Sequence, residues 1–232
     1  MTGMSVFALT GLPEFTPGDD LAAILAGRDE LEAGDVLVVT QKIVSKAEGR
    51  LEEIDRSDPK GHKAIVERES VRILRRRGEL IISETSHGFV CANAGVDLSN
   101  VEDGQACLLP VDSDRSARRI RDVVRATKDI EIGVIISDTF GRPWRRGVTD
   151  VAIGSAGIGP ILDLRGNNDA LGRELVVTEV AVVDELAAMA DLVMGKSDGY
   201  PAAIIRGVPS DWFRTGSVAA EIVRRPSEDL FR

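Results

Sequence analysis

Two polar clusters in the sequence carry side chains that could bind a divalent cation. Asp97 lies in the stretch of small residues 87–100, and Asp138 and Thr139 directly follow an apolar run. Carboxylate and hydroxyl oxygens are hard ligands that suit Mg²⁺ or Mn²⁺ and suit Zn²⁺ poorly. Each aspartate could instead cap a turn or a helix, and spacing alone favours that structural interpretation.

Three arginines follow the second of these clusters. Arg142, Arg145 and Arg146 surround Trp144 between two glycines. Arginines presented on a loop can bind a carboxylate or a phosphate through two parallel hydrogen bonds, and the tryptophan could stack on a flat ring. Surface salt bridges and a packed tryptophan explain the same residues equally well.

Several lysines lie where they could neutralise phosphate groups. Lys42 and Lys46 follow the predicted strand 35–40, and Lys196 stands in the tripeptide GKS. This tripeptide resembles the end of a P-loop, but Ala190 stands where that motif requires glycine. The chain also has no G-x-G-x-x-G motif, so phosphate binding would need another type of site.

Composition excludes several classes of protein. The chain has 232 residues, with 38 acidic and 29 basic side chains and a net charge of −9, which argues against nucleic-acid binding. Its apolar runs are far shorter than the ~20 residues of a membrane-spanning helix, and no signal peptide is evident. We therefore expect a cytoplasmic protein with no membrane partner, in which Cys91 and Cys107 are reduced and partly buried. His87 could serve as a general base, although a structural, hydrogen-bonded histidine is favoured.

The pattern of elements indicates an α+β protein. Strands are predicted over residues 5–9, 35–40, 80–83, 131–136 and 201–205, and helices over 21–31, 59–77, 112–125, 180–194 and 217–224. Apolar residues at helical spacing and basic residues near its end make 59–77 the strongest helix prediction. Strands and helices alternate without a regular βαβ rhythm, and no composition shift divides the chain.

Seven stretches of the sequence form an ordered set of motifs. They are GLPEF at 11–15, VVTQKIVSKAEGR at 38–50, HGFVCANAGVDLSN at 87–100, LLPVDSDRSA at 108–117, ISDTFGRPWRRG at 136–147, AIGSAGI at 152–158 and the loop 163–175. In this order they resemble the motifs of the coenzyme F420-0:L-glutamate ligase (γ-glutamyl ligase) family, and the resemblance covers nearly the whole chain.

The resemblance implies a ligase that adds L-glutamate through γ-linked amide bonds to coenzyme F420-0, giving F420-1 and longer tails. GTP would be cleaved to GDP and phosphate, with Mg²⁺ or Mn²⁺ and K⁺ assisting. Because amide formation from a free carboxylate is uphill in water, we expect an acyl-phosphate intermediate. The implied fold is a family-specific α+β arrangement of mixed sheets with flanking helices in an intertwined homodimer. We expect one ligase domain over 1–232 without the C-terminal flavin domain of some members.

The family motifs also imply roles for residues of this sequence. Asp97 and Asp138 match metal ligands, and Thr139 matches a ligand of a second metal. GTP binding is implied for Leu12, Pro13, Glu14, Phe15, Gln41, Lys42, Lys46, Asn100, Met194, Gly195, Lys196, Ser197, Asp198 and Gly199. Many members carry glutamine where Lys196 stands, so this lysine could meet a phosphate directly. No catalytic base is assigned, and we expect Arg142, Arg145 and Arg146 to bind the acceptor or glutamate.

Two other functions fit the same residues. The first is a metal-dependent nucleotide or phosphate-ester hydrolase that uses Asp97 and Asp138. The second is a regulator that binds GTP without turning it over. An assay for added glutamyl units separates both alternatives from a ligase.

Overall fold

The computed structural model describes residues 3–55, 61–196 and 199–230, and these ranges contain six α-helices and twelve strands. The helices are α1 (Leu21–Ala26), α2 (Gln41–Ala47), α3 (His62–Glu69), α4 (Ser113–Lys128), α5 (Val182–Met194) and α6 (Val218–Glu221). The strands are β1 (Ser5–Ala8), β2 (Val36–Thr40), β3 (Leu51–Glu53), β4 (Ser70–Arg77), β5 (Leu80–Thr85), β6 (Val90–Ala92), β7 (Gln105–Cys107), β8 (Gly133–Gly141), β9 (Val148–Ala156), β10 (Leu162–Asp163), β11 (Glu179–Val180) and β12 (Ala202–Arg206).

The largest sheet has five strands in the order β1-β12-β2-β8-β9. Strands β2 and β8 are parallel, whereas the other three pairings are antiparallel. The sheet is therefore mixed, and together with the helices it confirms the predicted α+β class.

Both faces of this sheet are covered, which explains the continuous apolar sequence of β2. Leu37 and Val39 belong to a hydrophobic cluster that includes residues of α1, α2 and α4. Val36 and Val38 belong to a second hydrophobic cluster, which includes residues of α5. Because successive side chains of a strand point to opposite faces, a strand buried on both sides requires apolar residues at every position.

Three smaller sheets are present in the part of the chain that the structure describes. Strands β4, β5 and β6 form an antiparallel sheet, and β3 pairs with β7 and β10 with β11. A third hydrophobic cluster joins Ile65 and Val66 of α3 to Ile81 of β5.

One buried carboxylate joins α4 to α6 and β9. Asp114 Oδ1 accepts hydrogen bonds from the backbone N–H groups of Ser155 (2.8 Å) and Val218 (2.9 Å). Its Oδ2 accepts a third from Ala219 N at 3.1 Å. The C-terminal part of the chain is thereby attached to the central sheet.

The strongest helix prediction, 59–77, is wrong in its second half. The helix α3 ends at Glu69, and Ser70–Arg77 form β4, which pairs with β5 through a tight turn at Gly78. Residues 59 and 60 lie outside the described ranges. The apolar pairs Ile65–Val66 and Ile73–Leu74 fit a helical period, but pairing with β5 prevails over that local pattern. The arginines 75–77 therefore lie on an exposed strand and do not end a helix.

Two other predictions need changes of length. The strand predicted to end at Ile136 continues to Gly141, because β9 pairs with it as far as Val148. The helix predicted over 21–31 ends at Ala26, where Gly27 follows, and Asp20 caps its start by accepting from Ala23 N.

Candidate functional site

A cavity of about 610 Å³ opens where the parallel strands β2 and β8 end. This volume lies within the usual range for small-molecule sites, and the carboxyl ends of parallel strands are a common place for them. Its lining combines residues from six segments of the chain: Leu12, Pro13, Glu14, Thr40, Gln41, Lys42, Ile43, Lys46, Asp97, Ser99, Asn100, Ser137, Asp138, Thr139, Val148, Asp150, Asp191, Met194, Gly195, Lys196, Gly199, Tyr200 and Pro201.

Strand register brings the most distant of these segments together. Thr40 is the register partner of Ser137, so the chain turns into α2 beside Asp138. The backbone N–H of Thr40 also donates to the carbonyl of Pro201 at 2.9 Å, which holds the segment before β12 at the same edge. The cavity is thus positioned by the backbone of the central sheet.

Lys42 and Asp97 form an ion pair across the cavity. Lys42 Nζ lies 2.9 Å from Asp97 Oδ2 and donates to Ser99 Oγ at 2.6 Å. Burial alone would raise the pKa of Asp97, but the hydrogen bonds from Lys42 and from Ser99 N lower it below the ordinary value. Asp97 is therefore ionised at neutral pH.

Asp138 lies among other carboxylates. Burial raises its pKa to about 7, and the negative charges of Asp150 and Asp97 contribute to the rise. A carboxylate in this position is stabilised by any cation that approaches it.

Asp150 and Asp191, which the sequence analysis missed, complete the acidic side of the cavity. Asp150 is 2% exposed, and Lys196 Nζ lies 2.8 Å from its Oδ1 and 2.6 Å from Asp191 Oδ1. The Thr139 hydroxyl donates to Asp150 Oδ1 at 2.6 Å. A prediction of strand β9 would have revealed Asp150, because the hairpin register places it opposite Thr139.

Two further polar groups line the cavity near α2. Lys46 forms an ion pair with Glu14, and its side chain is 12% exposed. Gln41 is 1% exposed, and its Oε1 accepts from Ser45 Oγ at 2.8 Å. Within the described ranges, Gln41 Nε2 is a buried donor without a partner. Such a group is expected to find an acceptor in a bound ligand.

Most of the residues with an implied role do line this cavity, with a few exceptions. Phe15 belongs to the hydrophobic cluster beside α1, α2 and α4. Ser197 and Asp198 lie outside the described ranges. His87 is not a lining residue, and its Nε2 donates to the carbonyl of Pro110 at 2.9 Å. The roles of the lining residues stay predictions.

The three arginines lie in the connection between β8 and β9, beside the cavity but outside its lining. Arg142 is partly buried and donates to the carbonyl of Arg146 at 3.2 Å, whereas Arg145 and Arg146 are exposed. Val148, the first residue after this connection, does line the cavity. The end of this loop therefore adjoins the cavity.

The donor set fits one divalent metal better than two. In the described part of the chain, no three His, Cys, Asp or Glu side chains form a complete metal site. Asp97 and Asp138 both line the cavity, and Mg²⁺ commonly takes one or two carboxylates together with phosphate and water oxygens. Thr139 does not fit as the ligand of a second metal, because its hydroxyl bonds to Asp150 and accepts from Lys196 at 2.6 Å.

Among the residues described, no helix has both the length and the apolar character needed to cross a bilayer. Residues 11–207 match the family model described as F420-0:Gamma-glutamyl ligase.

Similar proteins match the chain over its whole length. It is 45% identical to the "Coenzyme F420:L-glutamate ligase" of Methanothermobacter thermautotrophicus, over 99% of both chains. The proteins of the same name from Methanopyrus kandleri and Archaeoglobus fulgidus are 43% and 40% identical, over 100% and 99% of this chain and 100% and 96% of their own lengths.

Fold, cavity and similarity together define the chain as an α+β protein of a ligase family. It belongs to the F420-0:gamma-glutamyl ligase family, as the order of its motifs predicted. The family membership gives the cavity a chemical context that its geometry alone does not supply.

Proposed function

We propose that this chain adds L-glutamate to coenzyme F420-0 through γ-linked amide bonds, with cleavage of GTP to GDP and phosphate. The observation that carries the proposal is its 45% identity, over 99% of both chains, to a protein named coenzyme F420:L-glutamate ligase. We further propose that residues 1–232 act as one ligase domain in the cytoplasm.

The groups that line the cavity suit the binding of a nucleoside triphosphate. Lys42 and Lys46 bring positive charge to its α2 side, and Gln41 Nε2, which has no partner among the described residues, offers a neutral donor. Each lysine forms an ion pair with one carboxylate, Lys42 with Asp97 and Lys46 with Glu14. A bound phosphate would compete with these carboxylates for the ammonium groups. The choice of GTP over other nucleotides rests on the resemblance.

Asp97 and Asp138 would hold one divalent cation, Mg²⁺ or Mn²⁺. When bound, this ion would offset the negative charge of the phosphates and polarise the γ-phosphoryl group. Asp97 is held by Lys42 and by the backbone N–H of Ser99, which donates to its Oδ1 at 2.7 Å. The chain itself therefore orients this ligand.

The proposed reaction has two steps that share one site. A carboxylate oxygen of the acceptor attacks the γ-phosphorus, the bond from that phosphorus to the β–γ bridging oxygen breaks, and GDP leaves with the electron pair. The amine of glutamate then attacks the acyl carbon of the acyl phosphate, phosphate leaves, and the new amide nitrogen loses a proton. Positioning and charge neutralisation would supply most of the rate enhancement.

The arginine loop would bind the acceptor or glutamate. The loop that carries the three arginines ends at Val148, which lines the cavity, and both substrates carry carboxylates that guanidinium groups can bind. Arg142 Nε is buried and, within the described ranges, lacks a hydrogen-bond partner, which leaves one donor available to a ligand.

An intertwined homodimer would cover two exposed apolar regions. Strand β4 lies at the edge of its sheet, where Val71 and Leu74 are 69% and 41% exposed. Val176 and Val177, just before β11, are 72% and 83% exposed. Long exposed edge strands with apolar side chains are commonly covered by another chain. Light scattering should report twice the monomer mass, and a monomer at all concentrations would contradict the dimer.

One assay tests the activity directly. The protein is incubated with GTP, Mn²⁺, coenzyme F420-0 and L-glutamate, and the products are weighed by mass spectrometry. Added glutamyl units are the expected result. Phosphate release that does not need the acceptor would indicate a hydrolase, and GTP binding without turnover would indicate a regulator.

A further inference from the structure

The ammonium group of Lys196 has the surroundings of a coordinated cation. Its Nζ lies 2.6 Å from Thr139 Oγ1, 2.8 Å from Asp150 Oδ1 and 2.6 Å from Asp191 Oδ1. An ammonium has three N–H groups and no acceptor, so three oxygens satisfy it completely. No N–H of this group is left for a phosphate in this arrangement, which argues against direct phosphate binding by Lys196.

The buried negative charge of Asp150 requires a cation where the Lys196 ammonium lies. Its carboxylate is 2% exposed, and its Oδ2 accepts from Ser137 Oγ at 2.8 Å. Hydroxyl donors orient a buried carboxylate but do not neutralise it, and an unpaired buried charge is costly. The Lys196 side chain itself is 53% exposed, so it reaches this position from the open side of the cavity.

We propose that Lys196 is a cation built into the chain, which fills a position that would otherwise take a free metal ion. Thr139, Asp150 and Asp191 form this position, and the intact protein therefore binds no second metal there. The ammonium ion and K⁺ have similar size and charge, so either K⁺ or a divalent ion could occupy the position once the lysine is removed. Lys196 is thus a positioning residue that fixes Thr139 and Asp150 beside Asp138.

The number and kind of cations that the variant Lys196→Met binds test this inference. Methionine keeps the length of the side chain and removes its charge. Calorimetric titration with MnCl₂ should show one more bound Mn²⁺ per chain than the intact protein, if the position accepts a divalent ion. If it accepts K⁺, the melting temperature of the variant should rise in KCl relative to choline chloride, whereas that of the intact protein should not. Either gain supports the proposal.

Matched variants identify the site of the added cation. Lys128→Met removes a lysine that pairs with Asp29 on another part of the surface, and it should show neither gain. Lys196→Met combined with Asp191→Asn should lose the gain, because one ligand charge is removed. Lys196→Gln provides a second neutral side chain if the methionine variant folds poorly, as judged by circular dichroism.

Two results would overturn the proposal. One is an unchanged Mn²⁺ count together with an unchanged response to KCl in both Lys196 variants. The other is a gain that persists after Asp191→Asn. The titrations contain no nucleotide, acceptor or glutamate, so their outcome is separate from that of the ligase assay.

Discussion

Thr139 and Asp150 are register partners across strands β8 and β9, and the Thr139 hydroxyl donates to Asp150 Oδ1 at 2.6 Å. This pair joins a residue that the motifs identified to one that they did not. The hairpin therefore presents Asp138, Thr139 and Asp150 at a single wall of the cavity. A change at any of these three positions is expected to affect the other two.

Removal of a metal-ligand charge should abolish ligation without unfolding the protein. Asp97→Asn and Asp138→Asn each keep the size of the side chain and remove a negative charge from the proposed metal site. We expect a loss of glutamyl addition of about 100-fold or more, with a matching loss of Mn²⁺ affinity by calorimetry. Glu102→Gln, an exposed change near Asp97, is the control. Wild-type activity in either aspartate variant would contradict the assignment.

Lys46→Met should weaken nucleotide binding. The lysine brings one of the positive charges at the α2 side of the cavity, and a charge-assisted hydrogen bond to phosphate is typically strong. We expect an increase in the GTP dissociation constant of about tenfold or more. Lys63→Met removes another ion-paired lysine, on α3, and should leave the constant unchanged. Equal affinities in the two variants would remove Lys46 from the site.

Substitution of the loop arginines should affect the substrates and spare the nucleotide. Arg142→Ala, Arg145→Ala and Arg146→Ala each remove a guanidinium from the loop that ends at Val148, which should raise KM for coenzyme F420-0 or glutamate. KM for GTP should stay within about twofold, because these side chains lie outside the lining. Unchanged kinetics in all three variants would exclude the loop from substrate binding.

Asp184→Asn should change how stability depends on pH. Burial raises the pKa of Asp184 above its ordinary value of 3.8, although its carboxylate accepts from Ala152 N at 2.9 Å. The folded protein thus holds this proton more tightly than the unfolded chain. The free energy of unfolding consequently falls as the pH rises from about 4 through the raised pKa.

An asparagine cannot ionise, and its Oδ1 can still accept from Ala152 N. The Asp184→Asn variant should therefore gain stability over the wild type as the pH rises above about 4, measured by urea unfolding across a pH series. The exposed neighbour Glu185 provides the control substitution Glu185→Gln. A constant difference between Asp184→Asn and wild type at every pH would contradict the shift.

Sequence alone predicts those elements whose local pattern agrees with their packing. Strand β2 is apolar at four consecutive positions because both faces are buried, and α4 begins at a recognisable cap, Asp112, which accepts from Arg115 N. The segment 70–77 was mispredicted because its spacing suits a helix while its partner strand lies across a turn. Local patterns contain no information on such pairing.

The residues of the candidate site also differ in whether the sequence revealed them. Lys42, Asp97 and Asp138 were found from motifs, and the structure brings them to one cavity. Asp150 was missed because no strand was predicted over 148–156, and its pairing with Thr139 depends on that strand. Asp191 was missed because it lies within a helix, one turn before the tripeptide GKS. The link between Asp150 and Asp191 is evident only from the structure, in which Lys196 forms an ion pair with both carboxylates.

The three hydrogen bonds to Asp114 bear on where the chain can be shortened. The match to the family model ends at residue 207. Val218 is nevertheless fully buried in the cluster beneath α5, and two of the three N–H donors to Asp114 come from α6. A recombinant protein that ends at residue 207 would expose the buried face of α5. It would also leave the carboxylate of Asp114 with one of its three N–H donors, that of Ser155. Expression trials should therefore retain the sequence through residue 222, although the family-model match ends at 207.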